Sequence, residues 1–248
     1  MESGCWTLEG LVRPLRHGFV ALALVVLLSL SFPRLATSVC LRPHPRVCSD
    51  FFRSDAVFVG TVISVRAWPM SEVSGWRYRI KVTRWYRGSP RESLDVFAEN
   101  SSARFPLEKG HSYLLFAYKE EGRLTIDDCG NSAEISHAGK AIEEIESLTR
   151  TLSEARTGDI RGRVTETSPD DPGVSGVSVV AHGDGKRYVS VTDREGWFHI
   201  EVPGGTYLVT PETSTWVTKP YDLSYDDTSH VRVPNGGCAE LYFIASRK

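Results

Sequence analysis

The chain has 248 residues, enough for one or two domains with a core in each. Its 29 Lys and Arg nearly cancel its 31 Asp and Glu, leaving a formal net charge of -2. Nothing global therefore marks it for nucleic acid or for a charged membrane surface, and no partner is advertised by charge.

In chain order, Arg13, Arg16 and His17 precede an unbroken apolar run from Gly18 to Phe32. The run is short for a bilayer-spanning helix but suits the core of a signal peptide. Ala36 and Ser38 fit the small-x-small rule for cleavage after Ser38, so residues 1–38 read as a signal peptide and Val39 as the new N-terminus. An uncleaved anchor is the competing reading, disfavoured because Pro33 ends the apolar run; a lipoprotein anchor on Cys40 is disfavoured because Val39 precedes it. The chain is exported on every reading. It is expected in the periplasm, at the cell surface or secreted, and on the favoured reading it meets a membrane only during export.

Cys5 leaves with the signal, and Cys40, Cys48, Cys129 and Cys238 remain as an even set in an oxidising compartment, where disulfides are the default. Their spacing is not that of a zinc site.

The lead from Cys40 to Cys48 is too rich in proline to be an element of its own. The stretch Cys48 to Val65 reads as a central strand with a cysteine at its mouth. Val57, Val59, Ile63 and Val65 alternate with Phe58 and Val62, so both faces are covered. Gly60 interrupts the run, as glycines do at the bulges by which small barrels turn corners. Trp76 to Tyr86 alternates Tyr78, Ile80 and Val82 with Arg77, Arg79, Lys81 and Thr83, a strand with one wet face. Further strands are expected over Ser93–Ala98, Ser112–Tyr118 and Leu124–Ile126. Five short antiparallel strands suit a partly open five-stranded barrel.

Ala138, Ile142, Ile145, Leu148 and Leu152 then recur at helical spacing, predicting an amphipathic helix from His137 to Ala155 capped by Ser136. It would complete the first module and space it from the second. From Gly158 onward the chain is again strand and turn, with strands near 159–164, 177–181, 188–192, 197–202, 206–210, 229–233 and 240–244. Such a series predicts a β-sandwich. The glycines at Gly183-Asp184-Gly185, Asp193 to Gly196 and Pro203-Gly204-Gly205 read as turns needing positive φ. The fold class is thus mainly β, an oligonucleotide/oligosaccharide-binding-like barrel with a C-terminal helix over 39–156 and an immunoglobulin- or transthyretin-like sandwich over 158–248.

Both halves resemble known families. Asp55-Ala-Val-Phe-Val-Gly60-Thr-Val62, Trp85-Tyr-Arg-Gly88, Gly110-His-Ser-Tyr-Leu-Leu-Phe-Ala117 and Leu124-Thr-Ile-Asp-Asp-Cys129 together resemble a netrin-like module. This is the barrel also used by tissue inhibitors of metalloproteinases, in particular its bacterial secreted versions. The chain departs from that pattern at Ser102 to Pro106, where members commonly carry a cysteine-glycine pair. Ile160-Arg-Gly-Arg-Val164, Gly176-Val-Ser-Val179, Thr192-Asp-Arg-Glu-Gly-Trp-Phe198 and Val202-Pro-Gly-Gly-Thr-Tyr207 resemble a carboxypeptidase regulatory-like sandwich, whose members are folding and adhesion accessories. Fold follows from such resemblance more firmly than function.

Beside these resemblances, Cys129 is expected to pair with Cys40 or Cys48, with Cys48 preferred. Cys238 then stays unpaired or joins the other lead cysteine across the module boundary.

No residue pattern announces a reaction, and no catalytic residue, metal ligand or cofactor is expected. The histidines lie far apart in sequence, no serine stands in a Gly-x-Ser-x-Gly setting, and the pairs Asp127-Asp128, Asp170-Asp171 and Asp226-Asp227 read as solvated turn acids. Trp76, Tyr78, Trp85 and Tyr86 read as barrel packing. Trp216, Tyr221 and Tyr225 lie in a loop-like region near Asp222, Asp226 and Asp227 and are the candidate ligand-binding aromatics, because exposed rings stack on sugars. The plainer reading of that region is a long loop anchored by one buried tryptophan.

The expectation is a secreted, non-catalytic, two-module binding or adhesion protein whose partner is a macromolecule, protein or polysaccharide and not nucleic acid. One alternative is a carbohydrate-binding protein acting through the sandwich. The other is a metalloproteinase inhibitor acting through the barrel. The inhibitors it resembles begin at a cysteine whose free α-amino group and carbonyl ligate zinc, and they carry a second cysteine two residues on. Here Val39 precedes Cys40 and the next cysteine is Cys48, so no inhibition of zinc proteases is expected.

Overall fold

One strand organises the N-terminal half. In the computed structural model, which describes residues 40, 43–68, 74–221 and 230–247, β1 (Ala56–Trp68) pairs antiparallel with β2 (Gly75–Arg87) on one edge and with β4 (Ser112–Glu120) on the other. β3 (Ser93–Glu99) continues from β2, and β5 (Arg123–Thr125) bridges β3 to β4. The strands therefore return on themselves in the order β1-β2-β3-β5-β4, and β6 (Ala133–Glu134) pairs with β4 beyond the ring. The signal-peptide reading of 1–38 falls outside the described residues. Among those described, no helix is long and apolar enough to cross a membrane.

Gly60 is where β1 bends. The β1–β2 register slips between Val59 and Gly60, as it does between Val57 and Phe58 and between Val62 and Ser64. A Cβ at Gly60 would lie 2.5 Å from Ile80 Cγ2 and 2.9 Å from the Lys81 carbonyl oxygen, so the neighbouring strand can come this close only to a glycine. The last slip also corrects the simple alternation. Phe58 and Val62 face the ring interior, but beyond the slip it is Val65 that turns inward, while Ile63 is left 44% exposed. Inside the ring, Phe58, Ile80, Val96 and Leu115 are wholly buried, with Tyr78, Leu94 and Tyr113 around them.

Two helices cover one sector of the ring's exterior. Val57, Val59, Leu114 and Phe116 pack beneath Phe51 of α1 (Val47–Arg53) and Ile145 of α2 (Gly139–Thr151). α2 is shorter than its apolar spacing predicts, and Ser136 does not cap it. The N-cap position is Ala138, without a side-chain hydrogen bond, while Ser136 Oγ sits 3.2 Å from His137 Nδ1 in the turn before the helix. α1 itself is not expected from sequence, where its residues read as the mouth of the first strand. Seven residues are too few to sustain a helix alone; this one is held by burial of Cys48, Ser49, Asp50 and Phe51.

From Thr157 the chain builds two four-stranded sheets. One has the order β10 (Trp197–Pro203), β7 (Thr157–Thr165), β14 (Cys238–Arg247), β12 (Trp216–Pro220), with β14 and β7 parallel. The other runs β13 (His230–Val233), β11 (Gly205–Glu212), β8 (Ser178–Gly183), β9 (Lys186–Val191). They share one core, in which Ile160, Val164, Ile200 and Phe243 meet Val179, Ala181, Tyr207 and Val209. The Tyr207 hydroxyl donates to the Pro203 carbonyl at 2.7 Å, which lets a buried phenol satisfy its proton.

Two details of this half differ from the sequence reading. Trp216–Pro220, read as loop, is a strand at a sheet edge, where its terminal proline costs no ladder hydrogen bond. Positive φ is needed at Asp184, Gly185 and Gly196 but not in Pro203-Gly204-Gly205. Gly204 is instead demanded by close approach: its N–H donates to Asn235 Oδ1 at 2.7 Å, and a Cβ there would stand 2.6 Å from that oxygen.

The cysteines pair as Cys40–Cys129 and Cys48–Cys238. The preferred Cys48–Cys129 bridge is therefore incorrect, and the alternative in which Cys238 joins a lead cysteine is the one formed. α1 is the reason. It contacts β4 of the ring, α2 and the start of β14, and Cys48 turns toward β14. Around that bridge, Glu240 Oε2 accepts from the Arg46 N–H at 2.9 Å and from Ser49 Oγ at 2.6 Å, and Arg46 reaches Asp159 at 3.3 Å.

Candidate ligand-binding face

Away from the helices, the described residues expose a sheet face of the ring rich in arginine. The inward residues Val65, Tyr78, Ile80, Leu94, Val96 and Ala98 turn their neighbours outward. Register then sets Ser64 beside Arg79 and Asp95, and Arg66 beside Arg77 and Phe97. Neighbouring strands put these side chains roughly 5 Å apart across the ladder, and successive outward positions about 7 Å apart along it.

Only part of this charge is neutralised locally. Arg79 meets Asp95 at 3.3 Å, and Arg123 pairs with Glu121. Among the described residues, neither Arg66 nor Arg77 has a carboxylate within salt-bridge distance. Arg77 lies over the Trp68 ring at 5.3 Å and Arg123 over Phe97 at 6.0 Å, while the two rings meet edge to face at 5.4 Å. The aromatic pair is a rigid floor that holds guanidinium groups out toward solvent. Two shallow depressions run along the face. One of about 240 Å³ is lined by Ser64, Arg66, Arg77, Arg79 and Asp95; the other, of about 400 Å³, adds Arg91, Phe97 and Arg123.

A second polar group lies between α1 and the ring. Asp50 is fully buried; one carboxylate oxygen accepts from the Tyr118 hydroxyl, the other from Asn131 N at 2.7 Å and Asn131 Nδ2 at 2.9 Å. Arg53 lies over the Tyr118 ring at 5.5 Å. Burial opposes the Arg53 charge, but Tyr118 and the Asp50 and Asp127 carboxylates outweigh it and raise its pKa. The Tyr118 phenol is pushed well above its ordinary value by burial and by Asp50. Every partner here is occupied, so the group reads as a structural joint.

Asp127, beside it, has its pKa raised chiefly by burial and further by Asp50, against the Cys129 N–H bond at 2.9 Å and Arg53. A carboxyl with a raised folded pKa leaves the native state holding more protons than the unfolded one. Stability from this group is present at low pH and falls as pH rises through the window above the ordinary aspartate value. Asp127→Asn keeps the acceptor for Cys129 and removes the charge. It is expected to stabilise the protein at pH 7 and to make no difference near pH 3, as urea titrations at the two pH values would read; equal gains at both would refute the assignment.

The residues singled out from sequence are not gathered into one site. Trp216 is half-buried against the core of the two sheets with Arg247 over its ring at 5.4 Å, and Tyr221 donates its N–H to the Tyr242 carbonyl at 2.7 Å. Tyr225 lies outside the described residues, as do Asp222, Asp226 and Asp227. Cys40, Cys48, Cys129 and Cys238 are all in disulfides. Tyr78 is in the ring core, with Trp76 and Trp85 packed against it, and Tyr86 packs under the helices.

His111 sits 3.1 Å from Glu134, His182 3.8 Å from Glu212 and His199 3.6 Å from Asp159, each exposed. No cluster of three metal-ligating side chains occurs among the described residues. Asp171 closes a turn by accepting from the Ser168 N–H at 2.7 Å.

The arginine face is not apparent in the sequence, because Arg77 and Arg79 serve equally as the ordinary wet side of a strand. No sequence signal marks Arg66 as their neighbour, because it reaches their outward side only through the register slip after Val62. Compared with protein-family models and with curated proteins, the sequence matches none.

Proposed function

We infer that this is a secreted, non-catalytic binding protein of two modules, which engages a macromolecule through the open face of its first. The first module, over 39–156, is read as an oligonucleotide/oligosaccharide-binding-type barrel of netrin-like kind. The second, over 158–248, is read as a transthyretin-like sandwich that supports and presents the first. The return of five strands to β1 and the single core shared by two sheets support this reading, and two disulfides are compatible with an extracytoplasmic site of action.

The observation that carries it is the contrast on the ring's exterior. One sector is covered by two helices, and another presents Arg66 and Arg79 exposed beside Arg77, which lies over the Trp68 ring. Of these, Arg66 and Arg77 have no carboxylate partner among the described residues, and exposed guanidinium groups of this kind suit recognition. The test is chemical cross-linking of the full exported protein at its native surface, comparing wild type with Arg66→Glu/Arg79→Glu. Loss of the cross-linked adducts in the variant is expected, with melting unchanged. Identical adducts from both proteins would remove the face from the mechanism.

A further inference from the structure

We propose that the arginine face binds a linear anionic polysaccharide, one bearing carboxylate or sulfate groups at repeating positions. The proposal rests on the reading that this face is the binding surface, and it names the ligand class.

The guanidinium groups supply the first step. Arg66, Arg77, Arg79, Arg91 and Arg123 line two depressions that share Arg79 and Asp95 and so form one track along the sheet. A planar fork of donors matches carboxylate and sulfate oxygens two at a time, which a lysine cannot do. Asp95 occupies only one of these forks and Glu121 another. An isolated anion would need one enclosed pocket. The track instead is shallow, open and repeated at the spacing of outward strand positions, which suits successive charges on an extended polymer.

The aromatic residues decide between polymers. Single-stranded nucleic acid is held largely by stacking bases on free ring faces. Here Arg77 lies over Trp68, Arg123 lies over Phe97, and the two rings meet edge to face, so these surfaces are already spent on holding the cations. What remains for a ligand is charge-assisted hydrogen bonding with Ser64 and Ser93 as neutral partners beside it. Two disulfides also favour a compartment where acidic polysaccharides, not nucleic acids, are the common polyanions.

The experiment uses the full exported protein and surface plasmon resonance or calorimetry at low and moderate salt. The probes are heparin, polygalacturonate, a neutral dextran and a single-stranded oligonucleotide. Saturable binding to at least one acidic glycan is expected, with log affinity falling linearly with log salt, and none to dextran. Arg66→Ser and Arg79→Ser should each weaken it by about tenfold or more, given what a charge-assisted hydrogen bond contributes. Arg79→Lys should recover only part of the loss. Arg187→Ser, which removes an exposed arginine from β9 in the paired sheets, should change nothing.

Tighter binding of the oligonucleotide through the same arginines would overturn the proposal in favour of nucleic acid. So would equal losses from Arg187→Ser, which would reduce the effect to net charge. If no acidic glycan binds while cross-linking at the native surface still depends on Arg66 and Arg79, the ligand class is wrong and the binding face stands. If neither depends on them, both fail.

Discussion

Replacing Asp50 by alanine is expected to cost about 3 to 5 kcal/mol, the range for removing one partner from a buried charged network. The carboxylate is fully buried and takes three hydrogen bonds, from the Tyr118 hydroxyl and from the backbone and side-chain nitrogens of Asn131. Alanine would leave those donors facing a void, and Arg53 would lose a counter-charge at the same stroke. Asp50→Asn is no rescue, because an amide offers one acceptor oxygen where the site supplies donors to both. Tyr118→Phe should be milder, about 1 to 2 kcal/mol, since it removes one donor and leaves the two from Asn131 in place. Urea unfolding of the three variants tests the order. An Asp50→Ala loss no larger than that of Tyr118→Phe would mean that water enters and satisfies the joint.

How much of this was legible beforehand depends on whether the information was local. The strands of the ring could be read because burial follows the pleat, on one face in β2 and β3 and on both in β1 and β4. Tyr78 and Ile80 alternate with Arg77 and Arg79, and the pleat converts that directly into inside and outside. Gly60 announced a bend because it is the one glycine in the run from Ala56 to Val65. By contrast, α1 is a helix only because tertiary contacts bury four of its seven residues, and seven residues carry no readable period. Trp216–Pro220 is a strand because β14 runs beside it, a fact lodged in residues 243–247 and not in the segment itself.

The arginine face belongs to the same class. Arg66 joins Arg77 and Arg79 only through register slips that shift the parity of β1, and sequence spacing does not report such slips. The disulfide partners, likewise, depended on which way a short unpredicted helix turns its first cysteine.

That cysteine carries the other large effect. The Cys48–Cys238 bridge spans 190 residues, and the chain-entropy relation assigns about 5 kcal/mol to a loop of that length. Its removal should do more than lower a melting temperature. The ring and the paired sheets bury separate cores, and α1 is wedged between them, contacting β4 on one side and β14 on the other. Without the bridge, the contacts that remain at that junction include Arg46 with Asp159, and Arg46 and Ser49 with Glu240. Partly exposed ion pairs of this kind hold weakly. Cys48→Ser/Cys238→Ser is therefore expected to split a single calorimetric transition into two, the paired sheets and the ring melting apart. Cys40→Ser/Cys129→Ser, whose 89-residue loop lies within the N-terminal half, should lower stability by about 4 to 5 kcal/mol without splitting the transition of the paired sheets. Limited proteolysis supplies an independent readout. A cut in the segment 153–156 should leave two fragments that migrate together until reduced in the wild type and separate without reductant in Cys48→Ser/Cys238→Ser. One unsplit transition in that variant, close to the wild-type temperature, would mean that packing across the junction, and not the bridge, unites the two halves.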